Sequence, residues 1–323
     1  MSALQSPKPF KTLPELVELL RERGMTISDV DRAERKLAQV GYYRLSGYWY
    51  VCRELRNSTS DSSVSQRLEQ FLPNTHFDKV FELYLMDKKL RLIMLDAIER
   101  IEVNVRTVIA HEMGYHDPMA HENAKFINPR QIRDYVDRQK SQRNAWREWL
   151  ARHQKQINQS KEDSVVWHRA QNKSMPIWVV CEAWDFGTVS KYFEILKQTH
   201  QNRIAKRLGV DNPKVLVAWL HEISTLRNRC AHHCRVWNQK TSNALPDATS
   251  VDFARFVMAG EASSRLYGLI AVIAFLLRNI GPNSGWLDQV ADALATKPDL
   301  PGVTYSAMGM YESIGVSTRL FIE

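Results

Sequence analysis

The sequence is poor in the residues that define special chain classes. Its 323 residues include only 13 Gly and 12 Pro, which excludes collagen-like and low-complexity chains and argues against a sheet-rich fold with many tight turns. The longest apolar run, Leu266 to Leu277, has twelve residues. As a helix it would rise about 18 Å, too little to cross a hydrocarbon core of about 30 Å. This run therefore predicts a buried helix rather than a membrane span.

Cysteine is also scarce, and its distribution bears on the compartment. The four cysteines are scattered through the chain rather than arranged as a disulfide framework: Cys52, Cys181, Cys230 and Cys234. The amino terminus has Pro and Lys where a signal peptide needs its apolar stretch. With 44% hydrophobic and 25% charged residues, the chain can bury a core and is not disordered over most of its length. We expect a reduced, cytoplasmic protein without a membrane partner.

Positive charge is in excess and is concentrated in one segment. The chain has 44 Lys and Arg against 36 Asp and Glu, a net charge of +8, which favours an anionic partner, most often nucleic acid. Residues 130–173 hold eleven of these cations and five acids, or +6 of the total. Four aromatic residues are interleaved with them: Tyr135, Trp146, Trp149 and Trp167.

Two interpretations of this basic segment stay open. It is a helical arm whose cations, Arg143 and Arg147 among them, contact RNA phosphates while the aromatics stack. Alternatively, it is a solvated helix whose tryptophans face the core.

Apolar periodicity and end signals predict a mainly helical chain. The predicted helices are 14–23, 28–40, 78–113, 176–197 with a break at Gly187, 213–233 and 262–279. The polar stretch 57–66 predicts an exposed loop. There is no internal repeat and no alternation of strands with helices, so the predicted fold class is all-α.

The aromatic cluster at 42–50 (YYRLSGYWY) also has two interpretations. Its rings could stack on RNA bases while Arg44 binds a phosphate. More commonly, such a cluster packs a small subdomain against the main body. We favour packing, with Arg44 as the residue most suited to RNA.

The sequence lacks the motifs of several common enzyme classes. Neither of the common glycine-rich phosphate loops occurs in the sequence. His111 and His116 resemble a zinc-protease pair, but at five positions apart they are rotated by about 140° on a helix. Cys230 and Cys234 lie one turn apart without the second cysteine pair that structural zinc requires. We therefore predict no metal and expect buried, apolar cysteines.

The most informative stretch is 226–238 (LRNRCAHHCRVWN), which follows an apolar helical run. It contains seven polar side chains suited to nucleic acid: Arg227, Asn228, Arg229, His232, His233, Arg235 and Asn238. A core helix would not tolerate so many unpaired polar groups, so this end must be exposed or line a cleft. Arg227 can clamp a phosphate with two hydrogen bonds, and His232 can accept or give a proton near neutral pH. Asn228, one turn before His232, can orient the imidazole.

The string R-N-x-x-A-H-H-x-R-x-W-N at 227–238 resembles the R-x4-6-H motif of HEPN ribonucleases. Its flanks resemble the Abi-like (AbiD/AbiF) proteins of bacterial abortive-infection systems. Three further stretches agree in order and spacing: GYYRLSGYW at 41–49, DKKLRLIMLDAIERIEVNVRT at 87–107 and PIWVVCEAWDFGTVS at 176–190.

The resemblance implies a fold, a mechanism and site residues. The fold would be an all-α, HEPN-type helical bundle (71–323) with a small N-terminal helical region (1–70) and a basic helical insertion at about 128–173. The activity would be metal-independent cleavage of RNA by 2′-hydroxyl attack, without a cofactor, at a composite site formed by a homodimer. Arg227, Asn228 and His232 match the motif, and His233 offers an alternative spacing for the chemical histidine. The alternative function is a non-catalytic HEPN protein that holds a structured noncoding RNA in a defence complex.

Overall fold

Helices account for most of the chain in the computed structural model, which describes residues 8–56, 67–137, 139–248, 253 and 260–310. The described residues form thirteen α-helices: α1 (Leu13–Glu22), α2 (Val30–Val40), α3 (Tyr42–Trp49), α4 (Phe77–His116), α5 (Pro129–Ile132), α6 (Ala145–Gln159), α7 (Asp163–Ala170), α8 (Ile177–Val180), α9 (Phe186–Ile195), α10 (Gln198–Arg207), α11 (Pro213–Ala231), α12 (Leu266–Ile280) and α13 (Trp286–Ala295). Two small antiparallel pairs join β1 (Arg53–Leu55) to β2 (Arg67–Phe71) and β3 (Tyr135–Val136) to β4 (Gln142–Arg143). The all-α prediction is confirmed.

The chain divides into two units. Unit 1 comprises the chain up to Leu90 and, near the carboxyl end, residues 292–307. Unit 2 comprises residues 91–291 and a short segment at 308–310. Helix α4 contributes its residues up to Leu90 to unit 1 and those from Arg91 onward to unit 2. The candidate catalytic residues all belong to unit 2.

Unit 1 is organised around the aromatic cluster of α3. Tyr48 and Trp49 are buried, and the Tyr48 hydroxyl donates to the carboxylate of Asp87 at 2.7 Å. The Trp49 ring packs edge-on against Phe71, with 6.4 Å between ring centroids. Arg44, on the same short helix, is exposed. Packing therefore accounts for Tyr48 and Trp49, whereas Tyr43, Arg44 and Tyr50 lie at the surface.

Unit 2 has a hydrophobic core between α6, α9, α11 and α12. All twelve residues of the apolar run from Leu266 to Leu277 are buried in α12, as the sequence predicts. Trp146 and Trp149 stack at 5.4 Å on the buried side of α6, and the Trp149 indole N–H donates to the carbonyl oxygen of Thr188 at 3.1 Å. These tryptophans face the core, whereas Trp167 is half exposed. Among the described helices, none has both the length and the apolar character of a membrane span.

Three local predictions differ from the structure, and the predicted loop at 57–66 lies outside the described residues. The basic segment is helical only in part, because β3 and β4 form a small hairpin between α5 and α6. The break predicted at Gly187 falls earlier, because Asp185 caps the start of α9 by accepting from the backbone N–H of Thr188 at 2.8 Å. Cys234 is exposed rather than buried, since it follows the end of α11.

Candidate functional site

The arginine–histidine motif lies at the carboxyl end of α11. The helix ends in a Schellman motif: the N–H of His233 donates to the carbonyl of Cys230 at 3.1 Å, and the N–H of Cys234 donates to that of Arg229 at 2.8 Å. His232 is the C-cap, and His233 has a φ of 58°, in the left-handed region where glycine is usual. Both imidazoles are exposed. The helix end therefore presents two adjacent histidines to solvent, the second with a strained backbone.

One stripe of α11 carries polar side chains at helical spacing. His221, Thr225, Asn228 and His232 follow one another at intervals of four, three and four residues, so they share a face of the helix. His221, Asn228 and His232 are exposed. The sequence interpretation did not include His221. Its spacing of eleven residues from His232, three helical turns, is the signal that could have identified it.

Arg227 does not belong to this polar stripe and faces α4 instead. Its Nη1 lies 3.4 Å from the side-chain oxygen of Asn228, and its charge acts on the carboxylate of Glu102 on α4. Glu102 in turn accepts from Arg106 at 2.8 Å, the i,i+4 pair expected from the sequence. Burial raises the pKa of Glu102 above its ordinary value, and the positive charges of Arg106 and Arg227 oppose that shift without cancelling it.

Arg106 connects this ion pair on α4 to the residues just before α9. Arg106 also donates to the carbonyl oxygen of Trp184 at 3.0 Å and to the carboxylate of Glu182 at 3.3 Å. Asp185, next along the chain, accepts from Arg152 at 2.8 and 2.9 Å. Burial pulls the pKa of Asp185 upward, but hydrogen bonds from Arg152 and the Thr188 N–H hold it below its ordinary value. Three helices are thus joined by charged groups beside Arg227.

A groove of about 820 Å³ runs between α6, α9 and α11, and Asn228 is the motif residue that lines it. Asn228, Thr225 and His221 line it from α11, and Arg152 lines it from α6. Gly187 leaves room here, because a Cβ at this position would lie 3.0 Å from the guanidinium of Arg152. The groove is large enough to hold a nucleotide-sized group next to Asn228.

The remaining polar residues of the motif organise the loop that follows it. Arg229 donates to the carbonyl oxygen of Lys240 at 3.2 Å. Arg235 is half-buried beside Gln239, whose amide oxygen can accept from it at 2.8 Å. Asn238 is half-buried, and its side-chain oxygen is a buried acceptor without a hydrogen-bond partner in the described part of the chain. These three residues lie close to the motif in sequence, but the contacts of Arg229 and Arg235 support the loop.

The other predicted RNA-binding residues lie elsewhere. Arg143 pairs with Glu148 at 2.9 Å through Nη2 and with Asp137 at 3.5 Å. Arg147 pairs with Asp134 at 3.5 Å and stays three-quarters exposed. Arg44 belongs to unit 1. Arg227 and Asn228 therefore lie at the carboxyl end of α11 with His232 at its C-cap, whereas Arg143 and Arg147 lie among acidic partners of the insertion.

Two groups of metal-ligand-type side chains occur among the described residues. In the first, Glu112 rather than His111 pairs with His116, at 3.3 Å, and His200 lies 3.9 Å from the same carboxylate. Arg203 donates to Nε2 of His116 at 3.0 Å and lies 3.4 Å from Glu112. A guanidinium therefore already provides the positive charge at the position that a metal ion would take.

The second group consists of His121 and His153, which are buried in unit 2, and Glu122, which is exposed. Trp184 donates its indole N–H to Nδ1 of His153 at 2.8 Å. A neutral imidazole that accepts at Nδ1 carries its proton on Nε2, so Nε2 has no lone pair for a metal. Burial lowers the pKa of His121 to about 4 and that of His153 to about 3. Both rings are thus neutral at physiological pH and are better described as parts of the core.

Fold and site together define an all-α protein with an arginine–histidine motif at an exposed helix end, where the charge of Arg227 acts on the largely buried carboxylate of Glu102. A family model described as Abi-like protein matches residues 35–238, more than half of the chain. The chain belongs to the Abi-like family, which links it to abortive infection and phage defence. No curated protein and no solved structure shows significant similarity to it.

Proposed function

We propose that this protein is a metal-independent endoribonuclease toxin of an antiphage abortive-infection system, with a HEPN-type site at the end of α11. One observation carries the proposal: Arg227, Asn228 and His232 occupy the exposed carboxyl end of α11, where the charge of Arg227 acts on the carboxylate of Glu102. A guanidinium and a solvent-facing imidazole are the groups that phosphodiester cleavage without a metal requires.

The proposed reaction is internal transesterification of RNA. A histidine takes the proton from the 2′-hydroxyl, and the 2′-oxygen attacks the adjacent phosphorus. The bond from phosphorus to the 5′-oxygen breaks, and that oxygen receives a proton from an acid. The products are a 2′,3′-cyclic phosphate and a 5′-hydroxyl end. Arg227 stabilises the charge on the phosphorane oxygens, and Asn228 orients the histidine.

A homodimer makes this site complete. Arg227 and His232 lie five positions apart, so their side chains leave α11 about 140° apart. One helix end therefore points its guanidinium and its imidazole in diverging directions. A second copy supplies another arginine and histidine, so that clamp, base and acid can come from two chains.

Cleavage assays with variants of the motif test the proposal. We expect the wild-type protein to cleave RNA in EDTA and to leave 2′,3′-cyclic phosphate ends, while Arg227→Ala and His232→Ala lose activity by at least a hundredfold. His168→Ala on α7 is the control, because it removes a partly exposed imidazole that does not line the groove at the motif. Undiminished cleavage by both motif variants would refute the assignment.

Complementation tests the composite site separately. Arg227→Ala and His232→Ala subunits that are mixed and allowed to exchange should recover part of the activity, because a heterodimer regains one intact arginine and one intact histidine. A site within a single chain would give no recovery, whatever the mixing ratio.

A non-catalytic role in holding a structured noncoding RNA is the second candidate. It is favoured by the exposure of every described Lys and Arg in 130–173. This role predicts that wild type and His232→Ala retain the same RNA with intact ends, and that retention falls steeply with salt concentration.

A further inference from the structure

A second concave surface of unit 2 lies on α4 and α8, and we call it the α4–α8 groove. Its volume is about 460 Å³, and its lining includes His111, Gly114, Tyr115, Trp178 and Glu182. None of these residues lines the groove at the arginine–histidine motif. The sequence interpretation assigned no function to them.

Two aromatic side chains of this groove are open to solvent. Tyr115 is 83% exposed and Trp178 is 51% exposed, although large aromatic side chains are mostly buried. The Trp178 ring lies directly against Gly114, where a Cβ would be only 3.0 Å from a ring carbon. Glycine at this position of α4 lets the indole approach the helix closely. Trp178 is thus held in place by the backbone while half of its surface stays accessible.

Two arginines lie close to these rings, each in contact with a histidine of α4. Arg207 lies 3.2 Å from Nδ1 of His111. His116 packs edge-on against Tyr115 at 5.3 Å, and Arg203 donates to this imidazole at 3.0 Å. Both arginines are exposed.

The nearby acids are already paired with cations. Glu112 lies 3.4 Å from Arg203, and Glu182 accepts from Arg106 at 3.3 Å. The groove therefore combines accessible rings with two exposed arginines, of which Arg207 forms no ion pair with an acid in the described part of the chain.

We infer that the α4–α8 groove binds single-stranded RNA, with bases stacked on Trp178 and Tyr115 and phosphates on Arg203 and Arg207. Stacking rings beside a basic surface are the recognition elements for single-stranded nucleic acid, since every base has a π-face and every linkage a negative charge. An apolar protein helix would use the rings but not the cations. The two exposed arginines therefore favour RNA as the occupant.

The groove is connected to the arginine–histidine motif along α4. Arg106 contacts Glu182 at the groove and Glu102 beside Arg227. From Glu102 to Tyr115 the helix rises about 20 Å. An RNA strand stacked in the groove can thus extend to the motif. In this respect the inference rests on the proposed function: the RNA bound here is the strand that the motif cleaves.

Binding of a fluorescein-labelled oligouridylate, followed by anisotropy in the non-cleaving His232→Ala background, tests the inference. Trp178→Ala and Tyr115→Ala should each weaken binding by about tenfold, the usual effect of removing one stacking ring. Trp178→Phe should retain most of the affinity. The control is Phe10→Ala, because Phe10 is an aromatic residue that is 90% exposed and belongs to unit 1 rather than to the groove.

Gly114→Ala provides a second test that leaves both aromatic rings in the protein. The added methyl group should displace the indole and weaken binding in a fully folded variant, as checked by circular dichroism. Wild-type affinity in Trp178→Ala, Tyr115→Ala and Gly114→Ala together would overturn the inference. So would a Trp178→Ala variant that becomes monomeric by light scattering but keeps its RNA affinity, since the groove would then be a contact between copies.

Binding and cleavage measured together distinguish a failure of this inference from a failure of the proposed function. Weaker binding by the groove variants, combined with a wild-type protein that cleaves no RNA, would refute ribonuclease activity and support the groove as an RNA site. Cleavage by the wild type, combined with unchanged binding and cleavage in the groove variants, would refute the groove alone.

Discussion

The backbone N–H of Cys234 donates to the carbonyl oxygen of Arg229 at 2.8 Å, and this hydrogen bond closes the end of α11. It requires a left-handed residue at the position between, which here is His233 with a φ of 58°. The two histidines of the motif are therefore not equivalent. His232 is the C-cap and has an ordinary φ of −90°, whereas His233 holds a conformation that an L-residue adopts only at a cost of about 1 kcal/mol or more.

Replacing His233 by glycine should stabilise the protein. Glycine adopts the left-handed conformation without strain, so we expect a gain of about 1 kcal/mol and a rise in Tm of about 2 °C. Thermal unfolding of His233→Gly against His233→Ala isolates the backbone effect, because alanine removes the imidazole and keeps the strain. Equal Tm values would contradict it. RNA cleavage by the same pair of variants shows which histidine is chemical.

Removing Arg106 should destabilise unit 2 by leaving Glu102 buried without its partner. We expect a loss of about 2 kcal/mol for Arg106→Ala at pH 7, and a smaller loss for the double variant with Glu102→Gln. Burial already raises the pKa of Glu102, and without Arg106 its pKa should rise further. The carboxylate then takes up its proton more readily, so the loss of stability in Arg106→Ala should shrink as the pH falls.

Urea unfolding of the four proteins of this double-mutant cycle measures the coupling between Arg106 and Glu102. Additive effects of the two substitutions would show that the ion pair does not brace the site.

Acid should destabilise the protein through His121 and His153. Their pKa values in the folded state, about 4 and about 3, lie below the ordinary value of 6.5. The unfolded chain therefore binds more protons below pH 6.5, and stability falls as the pH decreases. Each histidine contributes about 1.4 kcal/mol per pH unit between pH 6 and pH 4.

His121→Leu and His153→Gln should flatten this dependence, the latter with an amide oxygen that can still accept from Trp184. Denaturant unfolding from pH 8 to pH 4 provides the measurement. The pH dependence of the free energy of unfolding above pH 7 serves as the internal control, because neither histidine titrates there. If the free energy of unfolding still fell steeply with pH in both variants, these two histidines would not be the cause of the acid sensitivity.

The basic insertion should contribute to RNA binding through its least paired cations. Arg143 already pairs with Glu148 and Asp137, so phosphate binding would have to replace those ion pairs. We expect Arg143→Ala to weaken RNA binding less than Lys155→Ala. Removing a cation that binds one phosphate should lower the slope of log affinity against log salt by about 0.7. A larger slope change for Arg143→Ala would reverse the order and indicate that Arg143 binds RNA directly.

Local signals in the sequence predict most helices well. The pattern at Thr12 to Gly24 predicts α1 closely, because a capping residue and a terminal glycine act on their immediate neighbours. The break predicted at Gly187 is misplaced. The helix begins at an aspartate cap, and Gly187 serves the close approach of Arg152 instead. A glycine that interrupts a helix and a glycine that makes room for a neighbouring side chain look the same in the sequence.

The sequence alone determined the helical class, the burial of α12 and the presence of a polar motif at the end of a helix, because periodicity and capping depend on residues a few positions apart. Only the tertiary structure decided that Glu102 lies beside Arg227 and that Gly114 supports Trp178. These partners are separated by more than sixty positions in the sequence. Their proximity depends on how α4, α8 and α11 pack, and side-chain packing between distant helices has no repeating signature along the chain.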